Sequence, residues 1–140
     1  MNTKVLMISS SIILGIYGAI LIFMPDETIS RLNISPNLIS TLTLQLLGAF
    51  SLGFAMLNWM AKGSLIGGIY NKPIAVGNFM HFGIGTLVLV KVMSKIQVHS
   101  KLVLSLTIIY AVFAILFAYV FKTNPAKIGK SVNKTVDDLI

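Results

Sequence analysis

The stretch Gly77-Asn78-Phe79-Met80-His81-Phe82-Gly83-Ile84-Gly85 sets a histidine and an amide among three glycines, deep inside an apolar run. At about 100° per residue, Gly77, His81 and Gly85 share one helix face, with Asn78 beside them. Phe79, Met80, Gly83 and Ile84 take the other side. One face is small and polar, the other wholly apolar. The run continues from Pro73 to about residue 94, long enough to cross a bilayer. Asn71 before it suits a helix cap, and Pro73 suits a first turn. The spacing therefore predicts a membrane-spanning helix over about 73–94.

Upstream, Ala61 to Lys72 is a connection with glycines at 63, 67 and 68. It lacks the Gly-Lys-Ser/Thr ending of a phosphate loop, so nucleotide binding is rejected. Leu65, Ile66, Ile69 and Tyr70 predict that it dips into the headgroup zone. Before it, Ser35-Pro36 reads as a cap followed by proline, opening a span over about 37–60. Thr41, Gln45, Gly48, Ala49, Leu52, Ala55 and Trp59 fall on one broad face of that span. Gln45 lies roughly 13 Å from its start, and Trp59 sits where an indole belongs in an aromatic belt.

Further back, Pro25 to Leu32 reads as a short surface helix. Asp26 and Glu27 complement its positive end, and Glu27 stands four residues before Arg31. Val5 to Phe23 is a span of about residues 5–23, with no small-x-small cleavage site after it, so it reads as a retained signal anchor. Ser11, Gly15 and Gly18 form a narrow strip for close helix approach. Downstream, a link holding His99 leads to a fourth span over about 101–121. There Thr107, Ala111, Ala114 and Ala118 form a small face, and Tyr110, Phe113, Phe117 and Phe121 form a stripe expected to face lipid. Residues 123–140 are a basic tail.

Composition agrees with the spans. Hydrophobic residues make up 56% of the chain and charged residues 11%, with a net charge of +7. Mean hydropathy is +0.89. A soluble domain carries about twice that charge. The cations stand at the ends of apolar runs or in the tail, which is how headgroup anchoring looks, and nucleic acid is not the expected partner. Cysteine is absent, so thiolate chemistry and disulfides are excluded. The expectation is an all-α protein: an antiparallel integral-membrane bundle of four transmembrane helices in residues 1–122.

Four spans put both termini and the Ala61–Lys72 loop on one side. Lys4, Lys62, Lys72, Lys122, Lys127, Lys130 and Lys134 lie there, against Arg31, Lys91, Lys95 and Lys101 on the other. The positive-inside rule then places both termini in the cytoplasm.

Polar groups in hydrocarbon are costly unless paired. Gln45, Asn58, Asn78 and His81 are the candidates, and antiparallel neighbours would bring them together near mid-bilayer. They serve either as interhelical hydrogen bonds, each worth about 0.6–2 kcal/mol, or as the lining of a ligand pocket. Helix packing is assigned to Ser11, Gly15, Gly18, Gly48, Ala49, Gly77, Gly85, Ala111, Ala114 and Ala118. No metal site is expected, because too few imidazoles and carboxylates converge. Haem ligation would need a second histidine at membrane depth. No cofactor is expected.

The segments Leu47-Gly48-Ala49, Asn58-Trp59, Gly67-Gly68-Ile69-Tyr70, Lys72-Pro73 and Gly77-Asn78, within about residues 40–91, resemble small bacterial four-helix inner-membrane proteins of unknown function. The resemblance implies a bacterial inner-membrane setting and nothing about chemistry. A more distant similarity links the chain to sterol-handling four-helix membrane domains. Those use intramembrane carboxylates, and here every acid lies outside the spans. With no nucleophile–base pair or carboxylate dyad in view, a non-enzymatic membrane protein that self-associates or supports a partner is expected. The alternative is a protein that binds or carries a small lipophilic molecule, a lipid or quinone, around His81, Gln45 and Asn78.

Overall fold

A computed structural model describes residues 2–32, 35–64, 66, 71–93 and 100–122. The expectations for Gly67–Tyr70, His99 and the 123–140 tail lie outside the described residues. The described chain is helical, with α1 (Thr3–Phe23), α2 (Pro25–Arg31), α3 (Leu38–Ala61), α4 (Lys72–Met93) and α5 (Ser100–Lys122). Four of them, α1, α3, α4 and α5, are long and apolar enough to cross a membrane.

Local chemistry sets the ends. The Asn2 side chain accepts the Lys4 N–H at 3.1 Å and opens α1. The Met24 N–H donates to the Ile20 carbonyl at 2.8 Å and closes it. Pro25 then starts α2, where a missing N–H costs nothing. The start of α3 corrects the sequence reading. Asn37, not Ser35, is the cap: its side chain accepts the Ser40 N–H at 2.9 Å, and the Ser40 hydroxyl accepts the Asn37 N–H at 3.1 Å. This reciprocal box satisfies two orphan donors at once.

The helices pack chiefly in two pairs, α1 with α3 and α4 with α5, and α2 rests on α1 and α3. Gly18 and Gly48 mark the closest approach of the first pair. A Cβ on either would lie 2.8 Å from the other's carbonyl oxygen. Two turns away the Ser11 hydroxyl donates to the Ala55 carbonyl at 2.7 Å, and Gly15 faces Ala55. The strip expected for close approach is thus used within the chain. Ile29, 3% exposed, anchors α2, and Thr41 Oγ1 donates to Asp26 Oδ1 at 2.7 Å.

The second pair overturns one expectation. Tyr110, Phe113 and Phe117 are buried, and only Phe121 of that stripe is exposed. The reason is a ring stack across the pair. Phe82 lies parallel to Phe117 at 5.8 Å and stacks on Phe113 at 4.9 Å. Gly85 supplies the hole: a Cβ there would sit 2.6 Å from the Tyr110 ring. Ala114 is buried while Ala111 and Ala118 are half-buried, so small and aromatic residues share the inner face. Ala49 is exposed beside the buried Gly48. Outward, α3, α4 and α5 present large apolar side chains such as Phe50, Leu87 and Ile115, each more than half exposed. Water would penalise such a surface, and lipid accepts it.

Candidate functional site

Three helices bring their amides and a hydroxyl to one buried point. Asn58 of α3 and Asn78 of α4 face each other and exchange two bonds, each Nδ2 donating to the other's Oδ1 at 2.7 Å. The second hydrogen of Asn58 goes to Ser10 Oγ of α1 at 3.0 Å, and that of Asn78 to the Ile74 carbonyl at 3.0 Å. Ser10 in turn donates to the Met7 carbonyl at 3.1 Å. All three side chains are completely buried. Both amide groups spend both hydrogens, so the cluster is closed on itself, with little capacity left for a ligand. Among the described residues no buried side-chain nitrogen or oxygen lacks a partner.

One turn along α4, His81 sits in an aromatic cage. Its ring stacks on Phe54 at 4.6 Å and lies edge-on to Phe82 at 5.2 Å. Tyr110 Oη stands 3.5 Å from His81 Nε2, at the outer limit of a hydrogen bond. Phe54 also passes Gly77, its ring 3.8 Å from where a Cβ would be, an ordinary contact distance. Tyr110 also meets Tyr17 of α1 edge-on at 6.4 Å. The half-buried His81 ring thus has Phe54, Phe82 and Tyr110 as its aromatic neighbours.

Of the four candidate residues, then, Asn58 and Asn78 bond directly, and His81 lies beside them without joining them. Gln45 is the correction. It is exposed on α3 and takes no part in the cluster, because the inner face of that helix runs through Gly48, Ser51, Ala55 and Asn58. Sequence reasoning missed Ser10, although three consecutive serines in an apolar run were a signal for it.

It missed a second feature entirely. A cavity of about 580 Å³ opens at the α2 end, where all five helices contribute walls. Tyr17, Leu21, Leu44, Leu89 and Leu106 line it, and Glu27 and Arg31 of α2 bring charge to it. In the sequence Glu27 and Arg31 are legible as an i, i+4 pair on a short surface helix. Nothing in the periodicity says that space lies beneath them.

Among the described residues no three His, Asp or Glu side chains gather as a metal site would need. Compared with family models, with curated proteins and with solved structures, the chain finds no match in any of the three.

Proposed function

We propose that the chain is a non-enzymatic, four-span membrane scaffold of the bacterial inner membrane that self-associates through the outer face of α3. The observation that carries this is the position of Gln45. It is exposed on a helix apolar enough to span, and Ala49 and Gly53 follow it at four-residue intervals, both exposed. A Cβ on Gly53 would have nothing within 4 Å. An outward amide in hydrocarbon lacks a partner unless another helix supplies one, and small residues beside it allow that helix to approach. A groove of about 230 Å³ lined by Ala49, Phe50, Gly53, Phe54 and Leu57 lies on the same face.

Antiparallel neighbours are part of this reading. Contacts between α1 and α3 run from Ser10–Asn58 through Ser11–Ala55 to Gly18–Gly48, one number rising as the other falls. Between α4 and α5 they run from Phe82–Phe113 through Gly85–Tyr110 to Met93–Thr107. Lys62 covers the Trp59 ring at 3.1 Å and Lys72 approaches Phe121 at 5.1 Å, both at the end where α1 begins. That basic, aromatic end is assigned to the cytoplasm.

Native mass measurement in mild detergent tests the association. The wild type is expected as a dimer, and Gly53→Leu as a monomer of unchanged fold. A monomer for the wild type across several detergents refutes the reading. For orientation, a periplasm-active reporter placed after Lys122 is expected to be silent, and one inserted near Asn33 active.

A further inference from the structure

The cavity at the α2 end is not explained by a scaffold. At about 580 Å³ it falls within the roughly 300–1,000 Å³ of small-molecule sites. All five helices contribute to its wall, and α1 touches α5 only lightly. Its wall is graded. Tyr17, Leu21, Leu89 and Leu106 make it apolar, whereas Glu27, Thr28 and Arg31 of α2 add polar groups along one side. Because α2 follows α1 directly across Met24, those charges stand at the end of a span, at headgroup depth.

The charges have opposite sign and stand one helical turn apart. Asp26, the other acid of α2, is held by the Thr41 hydroxyl. Glu27 and Arg31 are therefore the charged groups that the described lining offers a ligand. A purely anionic head would meet the Glu27 carboxylate, and a purely cationic one the Arg31 guanidinium. A head carrying both signs answers both. Its phosphate suits the guanidinium fork, and its ammonium suits the carboxylate.

We propose that this cavity binds a membrane amphiphile with a zwitterionic aminophosphate head, seated on Arg31 and Glu27, and an apolar tail among Tyr17, Leu21 and Leu106. The site is separate from the α3 face and stands whether or not the chain dimerises.

The test uses the full chain in mild detergent, titrated with lysophosphatidylethanolamine and with lysophosphatidylglycerol and followed by native mass spectrometry. One ethanolamine lipid per chain is expected, bound about tenfold more tightly than the glycerol lipid. Glu27→Gln should erase the preference, and Arg31→Gln should weaken both lipids by about tenfold. Both residues are exposed, so neither change threatens the fold. Free phosphoethanolamine should not compete; if it does, the tail plays no part and the proposal fails. Location has its own readout. Trp59 is the single tryptophan, so a Trp59→Phe, Tyr17→Trp double variant carries its only indole in the cavity wall. A lysophosphatidylethanolamine brominated along its chain should quench that indole, and Leu106→Trp on the native background should abolish binding. Equal affinity for the two heads, untouched by either α2 variant, overturns the head assignment. Unquenched fluorescence with lipid bound puts the lipid elsewhere.

Discussion

The two ends of the helix assembly solve the same problem differently. At the Trp59 end, α1, α3 and α4 are joined by Ser10, Asn58 and Asn78, with every amide hydrogen used. At the α2 end no such cluster exists among the described residues, and a cavity of about 580 Å³ remains. The contrast follows from the solvent. Lipid offers no hydrophobic force to press apolar helices together, so shape and internal hydrogen bonds decide how close they come. Where polar groups satisfy one another the interior is filled; where a mainly apolar wall has no such network, space survives. The closed end reads as structural and the open end as available.

The largest effect should come from breaking the closed end. Asn78→Leu removes both amide bonds and leaves Asn58 with an unmatched acceptor and donor in hydrocarbon. A loss of about 2 kcal/mol is expected in detergent unfolding. The Asn58→Leu, Asn78→Leu double variant should lose less than the sum of the singles, because two leucines leave little unpaired. Strict additivity would show that the two amides do not depend on each other.

A second test separates packing from polarity. Gly18→Ala or Gly48→Ala puts a Cβ 2.8 Å from a backbone oxygen that cannot turn aside, so α1 and α3 must move apart. About 1–3 kcal/mol is expected from either. Gly53→Ala, with open space around it, should cost far less in the monomer. Equal losses at Gly18 and Gly53 would mean that the close crossing is not what holds this pair.

The sequence made the spans legible because length and apolarity are one-dimensional signals. It also marked Gly18, Gly48, Asn58 and Asn78 as meaningful, since small and polar residues stand out in a hydrocarbon run. Facing was harder. The helices are apolar nearly all round, so periodicity does not separate inside from outside. Tyr110 and Phe117 were thus expected outside, and Gln45 inside. What places the rings is the hole at Gly85 on another helix, a pairing no single stretch encodes. The cavity is still less legible, because its wall is assembled from all five helices and no single stretch encodes it.

His81 offers a finer test of the closed end. Its ring packs on Phe54 and stands 3.5 Å from the Tyr110 hydroxyl, so stacking outweighs the hydrogen bond. Tyr110→Phe should therefore cost below about 1 kcal/mol and couple weakly to His81→Gln in a double-variant cycle. His81→Leu should be similar to His81→Gln in stability, since no strong partner is left behind. A coupling of about 2 kcal/mol or more would show that the histidine–tyrosine bond, rather than the ring packing, holds α4 to α5.

The smallest effect on the chain itself should come at Gln45. It is exposed, so replacing it with leucine should change monomer stability by no more than about 0.5 kcal/mol. The dimer should behave otherwise. An amide that finds its counterpart across a two-fold axis is satisfied only there, and leucine removes that reason to associate. Analytical ultracentrifugation in mild detergent should show Gln45→Leu dissociating at concentrations where the wild type stays paired. Gln45→Asn, which keeps the amide, should recover part of the association. If Gln45→Leu instead destabilises the monomer by about 2 kcal/mol, the glutamine has an intramolecular partner and the outer face of α3 is not an interface. If it changes neither stability nor association, Gln45 meets the headgroups by itself and the scaffold reading loses the observation that carries it.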